Sequence, residues 1–146
     1  MSSQPVPATT AYTSSSKFIL LGEDDIDDEE LLKEVFTTID PSLVLHFVNT
    51  GRAVISYLEN MKPDQLPCLI ILDYNMPVLN GAEILLELKK IKRYDHIPKI
   101  IWSTSASDTY KKSCLEAGAH DYVIKPSNMD GLKEVAMHML SFAAGQ

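Results

Sequence analysis

Five short apolar runs alternate with five amphipathic stretches, and this order constrains the fold more than any other feature of the chain. Short continuous runs rich in Ile, Leu and Val are typical of strands covered on both faces. Their strict alternation with helical patterns predicts a doubly wound α/β fold, a five-stranded parallel sheet with right-handed crossovers and helices on both faces. The runs are 18–21, 43–48, 68–72, 100–102 and 122–124.

The stretches between the runs carry apolar residues at helical spacing, which predicts one core-facing stripe per helix. The acidic segment 27–30 favours a helix N-terminus, and the fourth helix is expected to begin near Ser107 and to end at Gly118. The other predicted core stripes are Leu31, Leu32, Val35, Phe36 and Ile39; Val54, Leu58 and Met61; Ile84, Leu85, Leu88 and Ile91; and Leu132, Val135, Ala136, Met139 and Leu140.

The chain of 146 residues fits one domain, expected to span 17–144 and to leave no room for an output domain. Residues 1–16 contain no charged side chain and are rich in Ser, Thr, Pro and Ala, which predicts a flexible tail. They lack both the basic and the apolar region of a secretory signal. No segment approaches the roughly 20 apolar residues that span a bilayer.

Charge and cysteine content exclude several classes of function. A formal net charge of −7 argues against non-specific binding to nucleic acid or to an anionic membrane. Cys68 and Cys114 lie outside any metal-ligand or C-x-x-C spacing, so we expect both to be buried thiols that act as small hydrophobes. A reducing, cytoplasmic compartment is the corresponding prediction.

Charged side chains follow three of the predicted strands at the point where each strand ends. Glu23 and Asp24 follow the first run, Asp73 follows the third and Lys125 follows the fifth. Parallel strands present their carboxyl ends on one edge of the sheet, where open α/β folds bind ligands. Carboxylates gathered there repel one another unless a cation offsets them, and Mg²⁺ prefers such oxygen ligands. The sequence therefore predicts a site for Mg²⁺ and a phosphoryl group.

Each of these residues also has a purely structural interpretation. The acids at 23–25 can form a solvated loop, although an EF-hand is excluded because Glu30 stands where that loop needs Gly. Asp73 can cap a turn, since 74–81 has turn composition. Lys125 precedes Pro126, which fits a surface loop; a cis bond there would be one way to aim the ammonium inward.

Two hydroxyls follow the fourth run. Ser103 and Thr104 can hydrogen-bond a phosphoryl oxygen, while backbone N–H groups of the next turn add further donors. They can equally cap the helix that follows.

In combination these motifs resemble the receiver domain of two-component response regulators. The resemblance extends from Lys17 to Phe142. The Ser-Thr-Ser stretch and the Glu-Asp-Asp opening are most similar to stand-alone regulators that pair with phytochrome-type histidine kinases. The matching stretches are 19–21 with 23–24, 72–77 with Gly81, 102–105 and 117–126.

The resemblance implies a flavodoxin-like fold with strand order 2-1-3-4-5 and a Mg²⁺ site beside a phospho-acceptor. Asp73 matches the acceptor and a metal ligand. Asp24 matches the direct carboxylate ligand, Glu23 its partner that acts through water, and Asn75 the residue whose backbone carbonyl binds the metal.

The remaining family positions concern the switch. Lys125 matches the invariant lysine, Ser103 the switch hydroxyl with Thr104 beside it, and Tyr122 the aromatic that changes rotamer on activation. Pro126 and Gly81 match structural positions.

Three positions depart from the family pattern without removing a required chemical group. Glu23 replaces the commoner Asp, Ser103 stands where Thr is more usual, and Gly22 replaces an apolar residue and is expected to loosen the end of the first strand.

The function that follows is phosphoryl acceptance by Asp73 from a sensor histidine kinase or phosphotransfer protein. The chain would be a signalling protein, not an enzyme, with self-phosphorylation and slow self-dephosphorylation as its only chemistry. Phosphorylation would alter binding of a downstream protein to the fourth helix, fifth strand and fifth helix, and the same face would allow a homodimer.

Three other functions share features with this pattern. A haloacid-dehalogenase-like phosphatase needs an acid two residues after its nucleophile, and that position here is Asn75. A nucleotide or flavin binder needs a phosphate loop after the first strand, where this chain has carboxylates. A binding module that no longer needs phosphorylation stays open.

Overall fold

The structure is a computed structural model that describes residues 18–144. Five parallel strands form one sheet in the order β2-β1-β3-β4-β5, which confirms the predicted order. The predicted tail, 1–16, lies outside the described residues. The strands are β1 (Phe18–Gly22), β2 (Val44–Val48), β3 (Leu69–Asp73), β4 (Lys99–Ser103) and β5 (Asp121–Ile124).

Helices connect successive strands and cover both faces of the sheet, as predicted. Single 3₁₀ turns, at Pro63–Gln65 and Lys92–Tyr94, precede β3 and β4. Within the described residues, no helix is long and apolar enough to cross a membrane. The helices are α1 (Ile26–Ile39), α2 (Gly51–Glu59), α3 (Gly81–Lys89), α4 (Asp108–Glu116) and α5 (Met129–Ala144).

The sheet separates two hydrophobic cores because successive strand side chains point to opposite faces. Leu20 and Ile70 pack on one face with α2, α3 and α4, while Ile19 and Ile71 pack on the other with α1 and α5. Each face therefore receives alternate residues from the same buried strands.

Two side chains differ from the sequence prediction. Leu31 is 41% exposed, because it lies at the margin of the α1 stripe that Leu32 and Val35 bury. Cys114 is buried as predicted, whereas Cys68 is only half-buried and its thiol donates to the Phe18 carbonyl at 3.3 Å.

Gly22 does not loosen the first strand. It is paired with Val48 on one side and with Leu72 on the other. A Cβ at this position would lie 2.8 Å from Cε of Met76, so glycine lets the loop after β3 pack directly on β1.

The strand order reverses beside β1, since β2 lies on one side of it and β3 on the other. The connections that follow β1 and β3 therefore run over opposite faces of the sheet, and a crevice opens at the carboxyl ends of these two strands. Glu23 follows β1 at that crevice, and Asp73 ends β3 there.

Candidate functional site

Asp73 is the last residue of β3, and its side chain is almost buried, with the residue only 5% exposed. Its Oδ1 accepts a hydrogen bond from the backbone N–H of Asn75 at 3.0 Å. Its Oδ2 accepts from Nζ of Lys125 at 2.8 Å. The carboxylate is thus held from two sides while its strand fixes the backbone.

Glu23 directly follows β1 and is 1% exposed. Its Oε1 accepts from the indole N–H of Trp102 at 3.0 Å, and its Oε2 accepts from the backbone N–H of Asp25 at 3.0 Å. Burial, together with the neighbouring Asp73 carboxyl, raises the pKa of Glu23 to about 8. Glu23 is therefore a buried acid whose ionisation needs additional positive charge.

Lys125 directly follows β5, and its backbone N–H donates to the carbonyl of Ser103 at 2.8 Å. Its Nζ is 2.8 Å from Asp73 and 3.4 Å from Glu23, and it lies 4.7 Å from the centroid of the Trp102 ring. The cis Lys125–Pro126 bond considered from the sequence is not present. No peptide bond among the described residues is cis, and the ammonium reaches the acids from a trans backbone.

Asp28 is a member of the site that the sequence did not identify as functional. Its Oδ2 is 2.7 Å from Nζ of Lys125. Oxygens of Glu23, Asp28 and Asp73 all lie within 4.8 Å of one another. Burial alone would lower the pKa of Lys125, but hydrogen bonds to Asp28 and Asp73 outweigh it and raise that pKa.

Trp102 is the second residue that sequence reasoning missed as a site member. The available signal was a strand tryptophan beside the predicted Ser103, because a buried indole N–H usually finds a hydrogen-bond partner. For Asp28 the signal was its place in the first turn of a helix that begins at the predicted edge.

Asp24 and Asn75 lie in the two loops of the same edge, one after β1 and the other after β3. Both residues are exposed. Asp24 is outside the cluster formed by Glu23, Asp28 and Asp73. Its predicted role as a direct metal ligand, and that of the Asn75 carbonyl, therefore stay predictions.

The switch candidates form a connected set after β4. Ser103 is fully buried, and its Oγ accepts from the backbone N–H of Ser105 at 3.0 Å. The hydroxyl of the buried Tyr122 donates to the carbonyl of Ser105 at 2.8 Å. Thr104 is exposed on the same loop. One loop residue, Ser105, therefore contacts both the Ser103 hydroxyl and the Tyr122 hydroxyl.

Gly81 and Pro126 occupy tight positions at the edge. Gly81 donates its N–H to the Tyr74 carbonyl at 2.8 Å, and a Cβ there would lie 2.8 Å from Cδ1 of Ile101. Pro126 is half-buried, and a Cβ on Gly131 would approach its side chain to 2.9 Å.

The donor set fits a hard divalent cation. Three carboxylates lie around the one ammonium of Lys125, so carboxylates are in excess at this site. They belong to Glu23, Asp28 and Asp73. Carboxylate and carbonyl oxygens are the ligands of Mg²⁺ and Mn²⁺. Burial raises the pKa of Glu23, and the adjacent Asp73 carboxyl raises it further, so a nearby cation would favour its ionised form.

Comparison with known proteins identifies the family to which the chain belongs. The response regulator receiver domain family matches residues 19–137. Response regulator Rcp1 of Synechocystis sp. is 30% identical over 131 residues, which cover 86% of this chain and 88% of Rcp1.

Solved structures agree in fold and extent. The phosphorylated cyanobacterial phytochrome response regulator RcpA superposes with a TM-score of 0.79 at 26% identity, covering 88% of this chain and 94% of RcpA. The Mn²⁺-bound form of Rcp1 gives a TM-score of 0.75 at 29% identity and covers 86% and 93% of the two chains. The chain therefore belongs to the response regulator receiver domain family, signalling domains that accept a phosphoryl group on an aspartate beside an acidic Mg²⁺ or Mn²⁺ pocket.

Proposed function

We propose that Asp73 is the phosphoryl acceptor of this receiver domain and that the donor is the phosphohistidine of a histidine kinase or phosphotransfer protein. One observation carries the assignment. The carboxylate of Asp73, at the carboxyl end of β3, lies 2.8 Å from Nζ of Lys125 and shares an acidic cluster with Glu23.

The reaction forms a bond between an Asp73 carboxylate oxygen and phosphorus, while the P–N bond to the donor imidazole breaks. The electron pair of that bond returns to the imidazole nitrogen, which takes up a proton. Such transfers depend on positioning and on neutralising charge on the phosphoryl oxygens. Lys125 supplies a fixed positive charge, and the N–H of Asn75 orients the carboxylate.

Mg²⁺ would be held by Asp24 and Asp73, by the backbone carbonyl of Asn75 and, through water, by Glu23. When bound, it offsets the carboxylates and the negative charge of the incoming phosphoryl group. The hydrogen bonds of Glu23 to Trp102 and to the backbone of Asp25 occupy both of its oxygens, which supports an indirect role.

Ser103 and Tyr122 would convert phosphorylation into a change of surface. A phosphoryl oxygen that accepts from the Ser103 hydroxyl draws that side chain away from the N–H of Ser105. The carbonyl of Ser105 holds the hydroxyl of Tyr122, so movement of this loop changes the rotamer preference of the ring. We propose Thr104 as an additional hydroxyl near the phosphoryl group.

The altered surface would comprise α4, β5 and α5. It would bind a downstream protein or a second copy of this chain. Light scattering before and after phosphorylation tests the dimer, and an unchanged mass would contradict it. Exposed apolar side chains on these elements support an interface, namely Tyr110, Leu115, Ile124 and Met137.

The kinase partner we propose is of the phytochrome type, by analogy with RcpA, which is described as a phytochrome response regulator. Transfer of label from such an autophosphorylated kinase to this chain is the expected result; label retained on the kinase would exclude that pairing. A cytoplasmic location accords with such a partner and stays a prediction.

Slow self-dephosphorylation is proposed as the only hydrolytic chemistry. An acid two residues after the acceptor would activate water, but Asn75 cannot exchange a proton in that role. The aspartyl-phosphate should therefore persist, in contrast to the rapid turnover of a phosphatase.

Acetyl phosphate with Mg²⁺ tests the proposed function, with intact-protein mass as the readout. We expect the wild-type protein to gain one phosphoryl group and Asp73→Asn to gain none. Phosphorylation of Asp73→Asn to the wild-type extent would contradict the assignment.

A further inference from the structure

Asp28 occupies the third position of α1, where an acid usually folds back onto the helix start. In the common capping arrangement, an acidic side chain at this position accepts from the backbone N–H of the capping residue. Here the cap is Asp25, whose side chain accepts from the N–H of Asp28 at 3.0 Å. The N–H of Asp25 is already bound by Glu23 at 3.0 Å. The Asp28 carboxylate instead crosses to Lys125, at 2.7 Å.

The ammonium of Lys125 has three N–H donors, and the structure supplies three carboxylates to receive them. Asp73 is the proposed reacting group, and Glu23 is held by Trp102 and by the backbone of Asp25. Asp28 accepts from Lys125 at 2.7 Å and is therefore the one of these three partners that neither reacts nor accepts from another donor among the described residues of the site.

The Asp28–Lys125 pair is shielded from solvent, with side-chain exposures of 26% and 11%. Pairs of this kind hold geometry better than surface ion pairs, which are weakened by water and salt. The lysine side chain is long and flexible, so a fixed position of its ammonium requires a persistent partner.

We propose that Asp28 is a positioning residue that holds the ammonium of Lys125 beside Asp73 before, during and after phosphoryl transfer. This inference rests on the proposed function of Asp73. During transfer the hydrogen bond from Lys125 to Asp73 must pass to a phosphoryl oxygen. Of the two contacts that remain, the one with Asp28 at 2.7 Å is shorter than the one with Glu23 at 3.4 Å, so Asp28 holds the ammonium in place for the incoming group.

Asp28→Ala and Asp28→Asn separate this role from a simple effect of charge. Both variants remove the negative charge, but only asparagine keeps an oxygen that accepts from Lys125. We expect Asp28→Ala to slow phosphorylation by acetyl phosphate roughly tenfold, the effect of losing one charge-assisted hydrogen bond. Asp28→Asn should recover most of the rate.

Rates are compared at Mg²⁺ concentrations that saturate each variant, with saturation followed by the fluorescence of Trp102, which contacts Glu23 and Lys125. Asp27→Asn is the matched control, because Asp27 is an exposed acid in the same helical turn. It should phosphorylate at the wild-type rate. Equal rates for Asp28→Ala and Asp28→Asn, whether fast or slow, would overturn the inference.

Chemical labelling of amines reports how well the Lys125 ammonium is held in the site, and it does not require phosphorylation. Acylation followed by peptide mapping should find Lys125 protected in the wild-type protein and several-fold more reactive in Asp28→Ala, with Asp28→Asn between them. Equal reactivity in wild type and Asp28→Ala would overturn the inference. If the wild-type protein gains no phosphoryl group, the proposed function fails, and the labelling alone decides whether Asp28 holds the lysine.

Discussion

At the residue scale, the site separates side chains that the sequence predicts from side chains that only folding brings there. Glu23, Asp73 and Lys125 end or follow strands, so a parallel sheet was sufficient to predict their meeting. Asp28 and Trp102 depend on finer detail. Asp28 reaches the site because α1 begins at Ile26, and Trp102 because its indole meets Glu23 across the edge of the sheet.

Glu23 gives the protein without metal a distinct dependence of stability on pH. Its pKa is about 8 in the folded protein against an ordinary value of 4.5. Between these values the folded protein keeps a proton that the unfolded chain has released. The free energy of unfolding should therefore fall as pH rises through this window, by at most about 1.4 kcal/mol per pH unit.

Urea unfolding in EDTA at several pH values between about 6 and 8 measures this slope. Glu23→Gln stays neutral and should lose the part of this pH dependence that Glu23 contributes. Glu134→Gln, at an exposed position on α5, should keep it. The same slope in Glu23→Gln and in the wild-type protein would contradict a buried, protonated Glu23.

At the element scale, hydrophobic periodicity placed the ten helices and strands that form the layers, with small shifts at their ends. The third strand, predicted over 68–72, spans Leu69–Asp73, so Asp73, the proposed acceptor, belongs to the ladder. α4 ends at Glu116, two residues before the predicted end, and Gly118 lies just beyond the C-cap residue Ala117 with φ of 115°. Strand ends shift because ladder hydrogen bonds, and not apolarity, define them.

The loop after β3 could not be placed from periodicity, because its position depends on a close approach. Met76 packs on Gly22, and the nearest contacts of a Cβ at Gly22 would be Met76 at 2.8 Å, Leu72 at 3.1 Å and Val54 at 3.1 Å. From the sequence alone, glycine at this position indicated only a weaker strand.

A double-mutant cycle tests that contact. Gly22→Ala should destabilise the protein by about 1–3 kcal/mol through overpacking. In a Met76→Ala background the cost should be smaller by at least about 0.5 kcal/mol, since the nearest obstructing atom is gone. Leu86→Ala, at an exposed position on α3, provides the control, and its effect should add to that of Gly22→Ala. Simple additivity with Met76→Ala would contradict the proposed contact.

At the scale of the whole molecule, a chain of net charge −7 gathers several acids at one edge of its sheet. A cation that binds this folded edge and not the unfolded chain stabilises the protein by mass action. Mg²⁺ at about ten times its dissociation constant should raise Tm by about 3 °C or more.

Asp24→Asn distinguishes the predicted metal ligand from a general effect of charge. We expect this variant to lose most of the Mg²⁺-dependent rise in Tm, while Asp27→Asn, with the same change of charge, keeps it. Equal losses in the two variants would assign the effect to charge alone. A full response in Asp24→Asn would contradict its role as a ligand.

Locating the phosphoryl group on the chain tests whether Asp73 is the acceptor. Borohydride reduces an acyl phosphate to the alcohol, so a phosphorylated aspartate becomes homoserine and is found by peptide mapping. We expect homoserine at position 73 after treatment with acetyl phosphate and Mg²⁺. Homoserine at Asp24 or Asp28, with Asp73 unchanged, would contradict it.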